Sequence, residues 1–534
     1  MFTAETQRYA EGRREELPKV MKYQVLRCLT LILFVTTVVV VFMHSSSAQR
    51  PKRTFQEFAV EIPKTWDDED LRSLELPLTN HDYTPTFVAA DFYYGIPELP
   101  IYKTYPIYVP GKEPPGYIEW LRQQEPEIAF DPAKLKTLDD WTKAGELIFN
   151  TPIFFNGLNQ LADVRDPKWY ERSRMPVAKD GTMPFNVYVV RRKGSIEIGE
   201  FSCATCHTRV MPDGTIIRGA QGNYPLGRLD EMDARKHVGA LDEKQYKLRA
   251  RGAFVLGYYT PWVKPDELEG YDKLTLNRFA DLMGALIPGV QARPGVSLWY
   301  PVQVPDLIGV KDRHYLDRTG LQLHRSIADM MRYASLNQGA NFLSNYRGFI
   351  PRGPLTDPKK IRPRYSDAQL YALSLYIYSL KPPPNPNKFN ALAARGQRIF
   401  NREGCKNCHT PPLYTNNRLT PVEGFKVPDE HRTKYDVMRM SVGTDPGLAL
   451  YTRRATGYYK VPSLKGVWYR GPLEHSGSVM NLEDWFNPHR LDDDYVPTGF
   501  RGYDNKPRPV RGHQFGLDLS ESERKALIAF LRTL

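Results

Sequence analysis

The chain has 534 residues, 41% of them hydrophobic and 25% charged, which is enough for two or three domains with packed cores and too apolar for a disordered chain. Its formal net charge is +12, but the basic residues are scattered instead of clustered, which argues against a nucleic-acid surface and leaves acidic redox partners or bound anionic groups as natural counter-charges. With 44 prolines, 38 glycines and 12% aromatic residues, long irregular segments pinned by aromatic packing are expected.

The first feature along the chain is an apolar run from Cys28 to Met43, behind Lys22 and Arg27 and ahead of small residues at Ser46 and Ala48. This pattern reads as a secretory signal over residues 1–48, cleaved after Ala48. The run is only slightly short of the roughly 17 residues a spanning helix needs, so an uncleaved anchor is the rival reading, and the only membrane contact expected. Either way the body lies outside the cytoplasm. Residues 49–115, rich in Pro and Tyr, read as an extended arm. Val187 to Gly199, with alternation flanking a Lys-Gly-Ser turn, reads as a β-hairpin.

Of five cysteines, Cys28 falls in the signal, and the rest form two five-residue words, Cys203-x-x-Cys206-His207 and Cys405-x-x-Cys408-His409. No thiol is left over for a structural disulfide. A lone C-x-x-C fits a zinc half-site or a redox dithiol. A histidine directly after both pairs, in an exported chain, is instead the signature of covalent c-type haem. The two thiols add to vinyl groups on one edge of the ring, and the adjacent imidazole is carried beneath the iron at its centre. Zinc would need a fourth ligand at each word. Two covalently attached haem c groups are therefore expected, with His207 and His409 as proximal ligands.

Comparing the two regions reveals a duplication. Gly145–Asn150 matches Gly396–Asn401, Val304–Gly320 matches Val461–Gly477, and Ser366–Leu380 matches Ser520–Leu534, in the same order around each word. The last pair are amphipathic helices opened by capping boxes, Ser366 with Gln369 and Ser520 with Glu523. Between the halves the proline-rich stretch Lys381–Phe389 makes a stiff linker. The expected fold is mainly α with long irregular loops. It comprises two cytochrome c-like domains in tandem, residues 116–385 with a small β-hairpin insertion and residues 386–534.

With these landmarks the chain resembles the bacterial di-haem cytochrome c peroxidase and MauG superfamily, and in its length and long first half it is similar to the rubber oxygenase branch. The block Val461–Trp485 is similar to that family's P-S-L-R-N…F-H-D-G-S…L-E-E pattern, and the resemblance covers Asp140 to Leu534. It implies a bacterial periplasmic or secreted protein whose second haem is a six-coordinate electron relay. The family's distal ligand lies fourteen residues beyond the histidine of an H-x-G motif. His475 is that histidine and His489 stands fourteen on, so His409/His489 ligation is expected, with Met480 and His513 as stand-ins.

In the first half the equivalent positions are Arg318 and Arg332, and a guanidinium offers iron no lone pair. The family's other ligand position, sixteen past the proximal histidine, is Asn223. Haem one is thus expected to be open to O2 or H2O2, with His324, Met330 and Met331 as competing ligands. Arg318 also stands where the family has a tryptophan between the haems, for which Trp299 is the nearest substitute. The family's acid and amide positions map to Ala328 and Gln338, leaving no carboxylate for proton transfer there.

These readings imply a di-haem oxidoreductase, peroxidase- or oxygenase-like, that exchanges electrons with a small redox protein through haem two. Arg318 and Trp299 are its catalytic candidates. A non-enzymatic electron carrier with two six-coordinate haems is the alternative, and a dioxygenase cleaving an apolar polymer or lipid is the third reading. Calcium lies between the domains of some relatives, and no spacing in this chain marks such a site.

Overall fold

In the computed structural model, which describes residues 61–74, 86–247, 273–292, 298–345, 357–452 and 455–534, two helix pairs frame the chain. Helix α1 (Leu138–Asn150) is opened by a capping box of Thr137 and Asp140 and buries Trp141, Gly145, Ile148 and Phe149 on one face. That face packs on α2 (Asp367–Ser379), and in the second half α3 (Ala391–Arg402) packs in the same way on α4 (Glu521–Arg532). The capping boxes of Ser366 and Ser520 both form. The signal or anchor lies outside the described residues, and among those described no helix is long and apolar enough to cross a membrane.

The duplication is visible as repeated close approaches. A Cβ added to Gly145 would lie 2.0 Å from the Ala372 carbonyl oxygen and 2.7 Å from Tyr376 Cβ. One added to Gly396 would lie 1.9 Å from the Ala526 oxygen and 2.8 Å from Phe530 Cβ, and these are the matching residues of the two halves. Only glycine lets either helix pair come so near. The other repeated blocks meet crosswise. Gln303, which precedes the first block, donates its backbone N–H to His475 O at 2.8 Å, and Lys460, which precedes the second, donates to Arg318 O at 3.1 Å. Described residues beyond 60 belong to one compact unit.

The fold is mixed, with 37% helix and 13% strand, and holds more sheet than the single hairpin expected. Strands β1 (Thr104–Tyr108), β2 (Phe154–Phe155), β3 (Thr182–Arg192) and β4 (Ser195–Glu200) form an antiparallel sheet in the order β1-β3-β4-β2. Its centre is the predicted hairpin, turning at Gly194 with φ +82°. Five two-stranded ribbons accompany it among the described residues. Buried loops must pair their backbone groups, and here they do so with one another.

The segment expected as an extended arm is structured where it is described. Short helices run Asp68–Arg72 and Ala90–Gly95, and β1 joins the sheet. Trp66 stacks on Tyr93 at 4.4 Å, both fully buried beside Leu336 and Leu343. Burial of large rings offsets the ordering cost of a proline-rich stretch. The linker after α2 has no regular structure and is pinned by Asn385, whose side chain donates to Arg532 O at 2.8 Å.

Candidate functional site

Cys203–Cys206 form one helical turn immediately after β4. Ser202 caps it, accepting from Thr205 N at 3.3 Å, while Thr205 Oγ1 donates to Phe185 O on β3 at 2.8 Å. The inserted hairpin therefore fixes the first word. His207 N–H returns to Cys203 O at 2.9 Å, and its ring donates from Nδ1 to the Pro305 carbonyl at 3.0 Å. A carbonyl only accepts, so the lone pair sits on Nε2. Close approach is required here too, since a Cβ on Gly222 would lie 2.0 Å from Cys206 O.

The second word repeats the arrangement. A tight turn over Cys405–Asn407 follows Gly404, whose φ is +72°, and His409 N–H returns to Cys405 O at 2.8 Å. The buried His409 ring donates from Nδ1 to Tyr414 O at 3.2 Å, with the Pro462 carbonyl, the equivalent of Pro305, as a second backbone partner. No disulfide joins the four cysteines of the two words. Burial pushes Cys203 up to about 12 and Cys405 up to about 11, against what a redox or nucleophilic thiolate requires.

The imidazole brought to His409 is that of His513, whose ring centroid lies 6.2 Å away at 52°. Burial holds His409 down at about 4 and His513 at about 3, the His409 ring adding to the latter, so both stay neutral with lone pairs available. Trp485 and Phe515 flank His513 at 5.3 and 5.4 Å. His489 is elsewhere: its side chain is 78% exposed and donates from Nδ1 to Asp492 at 2.9 Å. The next residue, Arg490, is the buried one. Its guanidinium donates to the carbonyls of Trp485, Val510, Gly512 and His513, bracing the loop that presents His513.

A buried cationic cluster surrounds Asp306, the residue after the carbonyl that His207 uses. Asp306 sits among Arg313, Arg318 and Arg470, with Arg470 Nε at 3.7 Å and Tyr469 donating its hydroxyl at 2.9 Å. Burial lowers Arg318 to about 9, the neighbouring Arg470 and Arg313 adding to the effect and Asp306 opposing it; burial lowers Arg313 to about 10. Three guanidiniums face one carboxylate, and burial raises even that carboxyl above its ordinary value, against the pull of Arg470. Such an excess is what a bound anionic group would neutralise. His475 adjoins the cluster, stacked on Tyr459 at 4.9 Å with Nε2 3.8 Å from Asp445 and Nδ1 against the Glu474 carboxylate. Burial holds it near 4, Arg318 adding to this and Asp445 opposing it.

The other first-half candidates are committed elsewhere. Asn223 is bonded to both backbone groups of Val210, at 3.0 and 2.8 Å. His324 uses both ring nitrogens, on Arg313 O at 2.7 Å and on the Tyr378 hydroxyl at 2.5 Å. Arg332 is paired with Asp329 at 2.9 Å and with Asp70. Met330 and Met331 are buried in the apolar core that also holds Cys203 and Ala204. Trp299 is 36% exposed and lies edge-on to Tyr503 at 5.8 Å, so it is a surface residue. Met480 is exposed. Among the described residues no group of three or more His, Cys, Asp or Glu side chains is arranged to hold a metal ion.

Sequence reasoning passed over Asp306, Arg470, Gln303 and Arg490, whose signal is burial of charge or amide, invisible along a chain. No family model matches the sequence, and no curated protein matches it. Among solved structures, hydrazine synthase of Kuenenia stuttgartiensis pressurized with xenon aligns over 54% of this chain and 87% of its own, at 15% identity and a TM-score of 0.26. A likeness that distant decides neither fold nor chemistry.

Proposed function

We propose that the chain is an exported di-haem c-type oxidoreductase in which haem one, at Cys203, Cys206 and His207, is open to O2 or H2O2, and haem two, at Cys405, Cys408 and His409, passes electrons to or from a small redox protein. The observation that carries this reading is the paired geometry of the two words. Each ends in a histidine whose Nδ1–H is tied to a backbone carbonyl, which fixes the ring and leaves the lone pair on Nε2, as metal-ligating histidines are held.

The surroundings fit a group that is apolar, flat and edged with carboxylates. The guanidiniums of Arg313, Arg318 and Arg470 exceed the available buried carboxylate, and Gln221 Oε1, Gln303 Oε1 and Arg209 Nε are buried with no partner. Propionates would satisfy the cations. Haem supplies the redox chemistry and the binding of oxygen or peroxide. The protein would orient the ring through the thiols; it holds the buried His409 imidazole neutral and sets the charge nearby. Asn223, His324 and Arg332 all have other partners, which supports an open haem one.

A second reading, a non-enzymatic electron carrier, is favoured by the burial of Met330 and Met331 in the core beside Cys203. One experiment tests both. Purified protein is assayed for haem as the pyridine haemochrome, then reduced with and without carbon monoxide. Two haems per chain, with a carbon monoxide shift on about half of the absorbance, is the expected result. Two haems and no shift would move the assignment to the electron carrier, and no covalent haem would end both readings.

A further inference from the structure

We propose that His513 is the sixth ligand of the haem held by Cys405, Cys408 and His409, a role resting on the haem reading above and distinct from the His489 assignment that motif counting implies. The spacing is the first observation. A first-row metal binds an imidazole nitrogen at about 2.0–2.1 Å, so two rings on opposite sides of one ion have centroids roughly 6.3 Å apart. The His409 and His513 rings are 6.2 Å apart. Two imidazoles packed directly on each other would close to stacking distance, as His475 and Tyr459 do at 4.9 Å.

The second observation is an orphan. His513 Nδ1 is buried without a hydrogen-bond partner, whereas His489 Nδ1 is satisfied by Asp492 at the surface. A buried ring nitrogen without a protein partner is costly, so the His513 ring carries an unmet polar demand that a bound group or water would meet, whereas the His489 ring carries none.

The third is the construction around the residue. His513 has φ +48°, a left-handed conformation that few residues adopt and that histidine, like asparagine and aspartate, tolerates better than most. Its N–H donates to Val442 O at 2.7 Å, its carbonyl accepts from Arg490 at 2.8 Å, and a Cβ on the preceding Gly512 would lie 2.5 Å from Thr444 N. The loop is thus clamped by a buried arginine and pressed against the 442–444 segment, with the result that one imidazole lies beside another. Arg490 is a positioning residue for that ring.

The test compares His513→Gly, His489→Ala and Arg490→Lys with the parent, all as full-length haem-loaded chains. Readouts are the haem count, the EPR and near-infrared magnetic circular dichroism signatures of axial ligation, and the haem-two midpoint potential. In His489→Ala the bis-imidazole signature and the potential should be unchanged. In His513→Gly haem two should become high-spin and bind carbon monoxide, and added imidazole should restore the low-spin signature. Arg490→Lys should give a mixture that imidazole also converts. A high-spin haem two in His489→Ala would overturn the proposal, as would a low-spin His513→Gly protein. If His513→Gly does not accumulate, His489→Ala alone still decides. Absence of covalent haem in the parent would instead defeat the underlying haem reading.

Discussion

At the scale of single residues, a buried charge is the main lever. Arg318 is one of three guanidiniums around Asp306, and removing a buried positive charge would favour the more oxidised state of an iron held nearby. Arg318→Leu should therefore lower the haem-one potential, on the order of tens of millivolts, as read by redox titration. An unchanged potential and unchanged ligand-binding spectra would remove Arg318 from the site. His475 gives a pH effect. Its folded value lies near 4, held there by burial and by Arg318 against the pull of Asp445, while the unfolded chain titrates near 6.5. Between those values the unfolded state takes up a proton that the native state refuses. The contribution is present in full above about 6.5 and is lost as pH falls toward 4. His475→Gln should flatten the acid side of the stability profile, measured as urea midpoints between pH 7 and pH 4.5. A slope equal to that of the parent would show that His475 is not held neutral.

At the scale of elements, the helix pairs are set by two glycines and closed by two caps. A methyl group at Gly145 or Gly396 meets a carbonyl oxygen at about half the normal contact distance, so Gly396→Ala should cost about 1–3 kcal/mol or more. Ser520→Ala removes the acceptor for Glu523 N and should cost about 1 kcal/mol. Both are read from denaturation midpoints, and a Gly396→Ala protein as stable as the parent would mean that α3 and α4 separate freely. These elements were legible because their signals are local: a capping box, a helical stripe, a Lys-Gly-Ser turn, a cysteine word. The arm's helices and the ribbons were not, because they form only where distant loops meet and must pair their backbones. His513 fell outside the count because a fixed spacing from His475 presumes a loop of fixed course. Here the buried position is taken by Arg490, and the ring arrives from a loop two dozen residues later.

At the scale of the whole molecule, the two halves share a seam. Replacing Cys405 and Cys408 by serine should reduce the haemochrome reading from two haems to one, and the remaining haem should keep the carbon monoxide shift. If the surviving haem loses carbon monoxide binding, the open site is the second one. The seam has an asymmetric side. Arg209 donates to Gly471 O at 2.8 Å, Gln221 and Gln303 each donate to Pro472 O at 2.8 Å, and Gln303 N–H reaches His475 O. Arg209 and Gln221, just past the first word, are therefore held by carbonyls more than two hundred and fifty positions later. In a chain emerging from its N-terminus, the first cysteine pair is presented long before the segment that supplies these carbonyls. On the di-haem reading, attachment there would precede folding of the C-terminal block. A chain cut at the linker would keep the first cysteine pair and lose every one of these bonds.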